Sequence, residues 1–353
     1  MIWFQRHSIG RLIMIDPKDL AYCEEAIRHG SLSFHAASKV LPKKVRDPAL
    51  ALYAFCRLAD DEVDLQADKA PAVLALEERM DAAYAGRPRN TPMDRAFAQM
   101  VEDFNMPRAL PEALLEGLAW DAMDKRYHSL SDVISYSARV ASAVGAMMCV
   151  LMKIREPNAL ARACDLGVAM QLTNIARDVG EDALERRIYL PLDWMQEAGL
   201  EVDAFFDNPR PTKAVRQMVR RLLMESNRLY YRSEAGISKL PLGSRTGIYA
   251  ARYIYAGIGS EVQALGYETI TQRAHTNKLQ KLGWLARSIL STGVSIAMPQ
   301  SAVLYAKPLP EVQFLVDAAA EQASGKRDWS DKIILAMQQL REGDIAKNSS
   351  LIR

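Results

Sequence analysis

The spacing of apolar residues constrains this chain most, because it is helical almost throughout. Leu50, Tyr53, Ala54 and Leu58 fall on helical steps, and residues 140–152 have the composition of a buried helix. Alternating strand patterns are scarce, the sequence contains no Asn-Gly or Asp-Gly hairpin turn, and prolines divide it into helix-length pieces. The sequence therefore predicts an all-α fold.

The chain shows no obvious division into smaller units. Neither a Pro/Gly/Ser-rich linker nor a fixed repeat interrupts the 353 residues. We therefore predict one large helical domain over residues 17–306, preceded by an N-terminal extension at 1–16 and followed by a C-terminal tail at 307–353. The prolines that follow Lys307 break the helical pattern at this second boundary.

Charge, cysteine and histidine content exclude several classes of protein. Lys+Arg 45 against Asp+Glu 43 leaves a formal net charge of +2, which predicts no nucleic-acid partner. The four cysteines form no CxxC pair and the first thirteen residues do not fit a signal peptide, so we expect buried thiols in a reducing, cytoplasmic setting. The five histidines contain no HExxH motif, so zinc chemistry is not expected.

Residues 288–306 form the longest uncharged stretch. Pro299 and several hydroxyl side chains interrupt it, and a spanning helix needs about 20 mostly apolar residues, so it is a poor membrane span. Two interpretations stay open: a segment that touches a membrane surface, and a buried helix followed by a loop.

A first acidic motif ends the helix that we predict to begin with Asp47 as N-cap and Pro48 at its first position. At 3.6 residues per turn, one face of that helix carries Tyr53, Arg57, Asp60 or Asp61, and Asp64. Like charges four residues apart cost an isolated helix about 0.2–0.5 kcal/mol. A solvated acidic helix end is the alternative to a functional site here.

A second helix, predicted after Pro157, ends in the same way. Its shared face carries Gln171, Asn174, Asp178 and Asp182. The flanking sequence is apolar, and a polar group buried without a partner costs about 1–3 kcal/mol. These amides and carboxylates are therefore better explained by a site than by a solvated surface.

Two aspartate pairs on two helices suit Mg²⁺, which prefers oxygen ligands and bridges to phosphates. Arg57 and Arg177 each lie within one turn of an aspartate pair, and Arg186, Arg187 and Tyr189 follow the second motif. Guanidinium groups bind phosphate oxygens in bidentate fashion, although ordinary surface ion pairing is an alternative. Since no Gly-rich phosphate loop is present, the sequence predicts a diphosphate held through metal ions.

These motifs resemble those of the squalene/phytoene synthase family of head-to-head prenyl synthases over about residues 20–290. The resemblance rests on Ser31-Leu-Ser33-Phe34, YAFCRLADDEVD at 53–64, YSARVASAVG at 136–145 and NIARDVGEDALERRIYLP at 174–191, followed by Tyr255 and the region around Arg273. Two positions depart from the family: Leu32 stands where many members have a basic residue, and Ala138 where many have a tyrosine. Tyr136 is expected to cover the second role.

The resemblance implies an isoprenoid-synthase fold with a central apolar cavity and two facing aspartate motifs. It implies Mg²⁺, with Mn²⁺ as an alternative, on Asp60, Asp64, Asp178 and Asp182, with Asp61 and Asn174 as further ligands. The four aspartates and Tyr255 are implied to be catalytic. Substrate binding is implied for Ser31, Ser33, Phe34, Tyr53, Arg57, Tyr136, Arg139, Gln171, Asn174, Arg177, Arg186 and Tyr189.

The implied reaction is the condensation of two geranylgeranyl diphosphates to phytoene through prephytoene diphosphate, in carotenoid biosynthesis and without NADPH. A dehydrosqualene or squalene synthase that uses farnesyl diphosphate is the enzymatic alternative. A catalytically inactive assembly or scaffold protein of the same fold is the alternative outside catalysis, and it predicts damaged aspartate motifs.

An insoluble hydrocarbon product implies delivery to a membrane. We therefore expect a cytoplasmic protein that associates peripherally with the membrane, with residues 283–306, including Trp284, as the contact surface. Neighbouring carotenoid-pathway enzymes are further expected partners.

Overall fold

The computed structural model describes residues 15–30, 38–64 and 69–320, and at 29–30, 60–64 and 69–70 it describes the backbone alone. Within these ranges the regular structure is helical and contains no strand, which confirms the all-α prediction. The α-helices in chain order are α1 (Pro17–Gly30), α2 (Lys43–Asp64), α3 (Lys69–Tyr84), α4 (Pro92–Phe104), α5 (Ala109–Ala122), α6 (Leu130–Ser137), α7 (Ala143–Leu151), α8 (Pro157–Leu184), α9 (Leu192–Glu197), α10 (Val202–Asp207), α11 (Lys213–Ile237), α12 (Leu242–Ala264), α13 (Lys278–Ala297) and α14 (Gln313–Ala320). A π-helical segment, Ala138–Ser142, joins α6 to α7, and short 3₁₀ turns lie at Ala302–Tyr305 and Pro310–Val312.

Helix α8 is the central element, because α7, α11, α12 and the π-helical segment all pack around it. It begins at Pro157, one residue earlier than predicted, and the Glu156 side chain caps it by accepting hydrogen bonds from the N–H groups of Asn158 and Ala159. Gly167 allows the close crossing with the π-helical segment, since a Cβ at this position would lie 2.5 Å from the Cα of Ser142. A larger residue there would separate the two helices.

Among the described residues, one helix is long and apolar enough to cross a membrane by length and composition. It is the continuous helix Leu130–Leu151, formed by α6, the π-helical segment and α7. Of its most apolar window, 67% is buried inside the protein, and Ala146 and Met147 are fully buried. Packing in the core therefore accounts for its apolar character, and the buried helix predicted over residues 140–152 is confirmed.

Helix α2 begins earlier than predicted. It starts at Lys43, where the backbone carbonyl of Pro42 accepts hydrogen bonds from Val45 and Arg46, and Pro48 lies inside the helix. The predicted cap at Asp47 is therefore wrong: Asp47 pairs with the Arg46 guanidinium, 3.5 Å away, within the helix. Pro48 lies one residue beyond the first turn and a half of this helix, so the carbonyl of Lys44 receives no hydrogen bond from residue 48.

The packed body continues beyond the boundary predicted at 306/307. Val312, Leu315, Val316 and Ala319 are buried at 0–1% exposure, and α14 packs against α8. The Arg162 guanidinium, itself fully buried, holds the preceding segment by donating to the backbone carbonyls of residues 303 and 306. The packed domain therefore extends at least to residue 320.

Candidate active site

A cavity of about 300 Å³ lies between α2, α7, α8, α11 and α12. Its wall is mostly apolar; Leu52, Met148, Leu166 and Ile248 are typical of it. Its α8 lining runs from Ala159 to Asn174, a distance of about 22 Å at 1.5 Å per residue. The space is therefore elongated and suited to a long apolar chain.

The α8 lining becomes polar toward the C-terminal end of that helix. Gln171 and Asn174 both line the cavity, and the Asn174 amide lies 3.4 Å from the Gln171 carbonyl oxygen. Asp178 and Asp182 continue the same helical face over the next two turns, as their spacing predicts. Tyr255 faces this end from α12, and burial raises the pKa of its hydroxyl, against the opposing effect of Arg177.

Two arginines hold the carboxylate of Asp178. Arg177 donates from Nε to Asp178 Oδ1 over 2.7 Å and from Nη2 to Oδ2. Arg273 also donates from Nε to Oδ1, at 3.0 Å, and its Nη2 lies 3.3 Å from a carboxylate oxygen of Glu181. The sequence places Arg273 in the family-like region, but its spacing from Asp178 gives no signal of this contact.

Arg273 is positioned by a strap, defined here as residues 266–274, that crosses α8. The Gly180 N–H donates to the carbonyl of Thr269 at 2.9 Å, and a Cβ on Gly180 would lie only 2.2 Å from the carbonyl oxygen of Ile270. The buried Glu268 carboxylate accepts from the N–H groups of Ile270 and Thr271. The glycine of the second motif thus lets the strap lie directly on the helix.

Asp182 lies in a strongly acidic environment. Burial first, then the charges of Asp178 and Glu185, raise the pKa of Asp182 to about 8, while Arg187 acts in the opposite direction. The negative form of this carboxyl group is therefore disfavoured until a positive charge approaches it.

Helix α2 brings the first motif to the same cavity. Tyr53 lines the wall, and Arg57 follows one turn later on the same helix. The backbone of α2 continues through 60–64, but the side chains of Asp60, Asp61 and Asp64 lie outside the described part of the structure. Among the described side chains, which do not include those of Asp60, Asp61 and Asp64, no group of three or more His, Cys, Asp or Glu could hold a metal ion.

Tyr136 and Tyr189 belong to a second polar cluster. Their hydroxyls donate to the two carboxylate oxygens of Asp121, both at 2.8 Å, and their rings stack with centroids 5.1 Å apart. The Tyr127 ring stacks on that of Tyr189 and lies tilted beside that of Tyr136. Asp121 also contributes to the raised pKa of Asp182. Neither Asp121 nor Tyr127 was identified from the sequence, because no spacing rule links them to these tyrosines.

Two predicted substrate-binding arginines lie away from the cavity lining. Arg139 pairs with Glu116 at 2.9 Å and lies over the ring of Trp120. Arg186 is exposed and pairs with Asp207 at 3.1 Å. The predicted residues Ser31, Ser33 and Phe34 lie outside the described residues.

Comparison with known proteins is consistent with this arrangement. The family model for squalene/phytoene synthase matches residues 27–280. The phytoene synthase of Cereibacter sphaeroides is 57% identical over 341 residues, covering 94% of this chain and 96% of its own, and that of Rhodobacter capsulatus is 57% identical over 334 residues, covering 94% and 98%. A crystal structure of a dehydrosqualene synthase in complex with a ligand superposes with a TM-score of 0.73 at 29% identity, covering 78% of this chain and 97% of that one.

Proposed function

This chain belongs to the squalene/phytoene synthase family, and from that premise we propose that it joins two geranylgeranyl diphosphates head to head to give phytoene. The observation that carries the proposal is the polar face of α8, with Gln171, Asn174 and Asp178, at one end of a long apolar cavity. That combination matches a substrate with a charged head and a hydrocarbon tail. The relatives that are 57% identical along nearly the whole chain are named phytoene synthases.

The donor set fits Mg²⁺, with Mn²⁺ as the alternative. Carboxylate and amide oxygens share one face of α8, and the raised pKa of Asp182 reflects burial first and then neighbouring negative charges, which a dication would offset. The residues that would hold the ions are Asp60, Asp61, Asp64, Asn174, Asp178 and Asp182. When bound, Mg²⁺ would supply the positive charge that stabilises diphosphate as a leaving group.

In the proposed reaction each substrate gives up its diphosphate and a proton is lost in each of two stages. The first substrate ionises to an allylic cation, which the double bond of the second substrate attacks to form prephytoene diphosphate. This intermediate ionises, rearranges and loses the second proton to give phytoene. Because the final cation is quenched by proton loss rather than by hydride addition, we expect no requirement for NADPH.

The protein side chains would bind the diphosphates, orient the substrates, stabilise the carbocations and exclude water. Arg57 and Arg177 would bind diphosphate oxygens through paired N–H donors, and Gln171 would orient the head group. The aromatic rings of Tyr53 and Tyr255, both in the cavity wall, would stabilise nearby carbocations by about 0.5–2 kcal/mol. The apolar wall would keep water from trapping those cations.

Two alternative functions remain: an enzyme that uses a shorter prenyl diphosphate, and a protein of the same fold without catalytic activity. A dehydrosqualene or squalene synthase would use farnesyl diphosphate in the same fold, as the structural similarity to a dehydrosqualene synthase illustrates. An inactive scaffold protein is disfavoured because both aspartate motifs and their arginines are intact in the sequence. We further propose a cytoplasmic location with peripheral membrane contact, alongside other enzymes of the carotenoid pathway.

A product assay tests the function. Purified protein is incubated with Mg²⁺ and geranylgeranyl diphosphate, or with farnesyl diphosphate, without NADPH, and the hydrocarbons are extracted and identified. We expect phytoene from the longer substrate, and a loss of about 100-fold or more in Asp178→Asn, the size typical of removing an electrostatic stabiliser. Asp317→Asn, an exposed aspartate on α14, is the matched control and should retain full activity.

Each other outcome assigns the protein differently. Product from farnesyl diphosphate alone would make it a dehydrosqualene synthase. No hydrocarbon from either substrate, in folded protein with detergent present, would reject the enzyme and favour the scaffold.

A further inference from the structure

Helix α13 carries hydroxyl side chains and Trp284 inward and its large exposed aliphatic side chains outward. On the inner face, Ser291 shares a hydrogen bond with the Tyr253 hydroxyl at 2.8 Å, and Thr292 shares one with Thr246 at 3.0 Å. One turn on, Ser295 accepts from an arginine of α12 at 3.1 Å. Hydroxyl groups therefore make much of the contact between α13 and the rest of the protein.

The opposite face of α13 is a continuous apolar surface, which we call the outer face. Its large side chains are all more than half exposed; they are Leu279, Leu282, Ile289, Leu290, Val294 and Ile296, followed by Met298 just after the helix. Leu279 and Leu290 reach 80% and 72% exposure. Surface helices normally place their apolar stripe against the core, so this helix is oriented for an apolar environment outside the protein.

Along the chain, the charges next to the outer face have a single sign; the acidic residue that contacts α13 is Glu261 of α12, which accepts a hydrogen bond from Gln280 on its polar side. Between Glu268 and Glu311 the sequence contains no acidic residue, yet it contains the basic residues Lys278, Lys281, Arg287 and Lys307, besides Arg273, which is paired with Asp178 and Glu181. Lysine and arginine beside an apolar helix face are the typical composition of a helix that lies in an anionic membrane interface. If the outer face bound another protein instead of a membrane, there would be no reason for acidic residues to be absent from this part of the sequence.

The outer face also lies next to the cavity. Helix α12 lies between them: Gly247, Ile248 and Ala251 line the cavity, and α13 packs along α12. The two helices approach closely where the Trp284 ring lies on Gly257, since a Cβ there would be 2.2 Å from the ring. Only one helix therefore separates the apolar cavity from the outer face.

We propose that the outer face of α13 docks on the surface of an anionic lipid bilayer and so places the wall formed by α12 next to the membrane. This inference rests on the proposed function for its purpose, because an insoluble hydrocarbon released beside α12 would enter lipid without crossing water. The earlier alternative of a buried helix for this stretch is wrong, since Ser288 is the only buried residue of α13. The docking itself requires no catalysis.

Vesicle flotation with the full chain and no substrate tests the docking. We compare vesicles of phosphatidylcholine with vesicles that contain about one third phosphatidylglycerol. The test variant is Leu282→Gln/Leu290→Gln, and the control is Met224→Gln/Tyr231→Gln, which changes two equally exposed apolar residues of α11. We expect wild type and control to float with anionic vesicles and the test variant to float about ten-fold less. Binding of the wild type should also fall about ten-fold on neutral vesicles or in 0.5 M NaCl.

Three results would overturn the proposal: equal flotation of test variant and wild type, flotation indifferent to lipid charge and salt, or loss of a wild-type dimer in the test variant with unchanged vesicle binding. The last result would identify the outer face as an interface between copies of this chain. The salt and lipid comparisons use wild-type protein, so they remain informative if the variant misfolds. Hydrocarbon synthesis in detergent, measured separately, should be unchanged in the test variant, which distinguishes failed docking from a failed functional assignment.

Discussion

Replacing Gly180 with alanine is expected to destabilise this protein, although the same change in an open helix position stabilises. A Cβ at residue 180 would lie 2.2 Å from the carbonyl oxygen of Ile270 and 2.8 Å from its Cα. Side chains rarely approach closer than about 3 Å, so the strap must move by about 1 Å. That movement weakens the 2.9 Å hydrogen bond from Gly180 N–H to Thr269 and displaces Arg273 from Asp178.

The expected change in the free energy of unfolding for Gly180→Ala is the difference between two opposing effects. Alanine gains about 1 kcal/mol over glycine in a helix interior, while overpacking a close contact costs about 1–3 kcal/mol and the weakened hydrogen bond about 1 kcal/mol more. We expect a net loss of about 1–3 kcal/mol in the free energy of unfolding. For a chain of this size, each kcal/mol lowers Tm by about 2–4 °C.

Thermal unfolding of matched variants measures this effect. Gly293→Ala, on α13, is the control because nothing lies within 4 Å of its added Cβ, so it should raise Tm slightly. Gly180→Ala should lower Tm and also lower hydrocarbon synthesis, because the strap no longer holds Arg273 at Asp178. A Tm for Gly180→Ala equal to or above that of the wild type would refute the close contact and the positioning role of the strap.

Three further predictions concern the interior. Arg162→Leu leaves Asp165 buried with Arg232 as its remaining partner at 3.0 Å, and should cost about 3–5 kcal/mol in urea unfolding; a cost below 1 kcal/mol would contradict this. Burial acts to raise the pKa of Glu268, but hydrogen bonds from the strap outweigh it and lower that pKa below 4.5. The ionised carboxylate therefore stabilises the fold fully above the unfolded-state pKa, and the Tm advantage of wild type over Glu268→Gln should disappear as the pH falls through the lowered pKa of the folded state; a constant difference would argue against it. Ala163→Phe places a larger side chain in the cavity wall and so shortens the space for the hydrocarbon tail. It should reduce product from the 20-carbon substrate at least ten-fold more than product from the 15-carbon one. Equal reduction would show that residue 163 does not contact the end of the longer hydrocarbon tail.

The part of the site that the sequence predicts is the part contained in single helices. Gln171, Asn174, Asp178 and Asp182 share a face because helical geometry alone fixes their relation. The buried helix at residues 140–152 was predictable for a similar reason, since its composition is apolar all round.

Contacts between distant segments could not be predicted in this way. Arg273 reaches Asp178 across 95 residues only because Gly180 lets the strap lie on α8. Asp121 of α5 accepts a hydrogen bond from Tyr189 across 68 residues because the segment that follows α8 lies against α5. The sequence also did not predict which face of α13 points inward. Hydroxyl and aliphatic residues are interspersed along this helix, and the hydroxyl face turns inward because α12 supplies hydrogen-bond partners for it.

The most direct test of the account is calorimetric titration of the protein with inorganic diphosphate. The central claim is that metal ions on the aspartate motifs hold a diphosphate at the polar end of the apolar cavity. We predict binding in the presence of Mg²⁺, no measurable binding after chelation with EDTA, and a loss of at least ten-fold in affinity in Asp178→Asn with Asp317→Asn unchanged. Binding that is the same with and without Mg²⁺, or the same in Asp178→Asn as in the wild type, would contradict the claim.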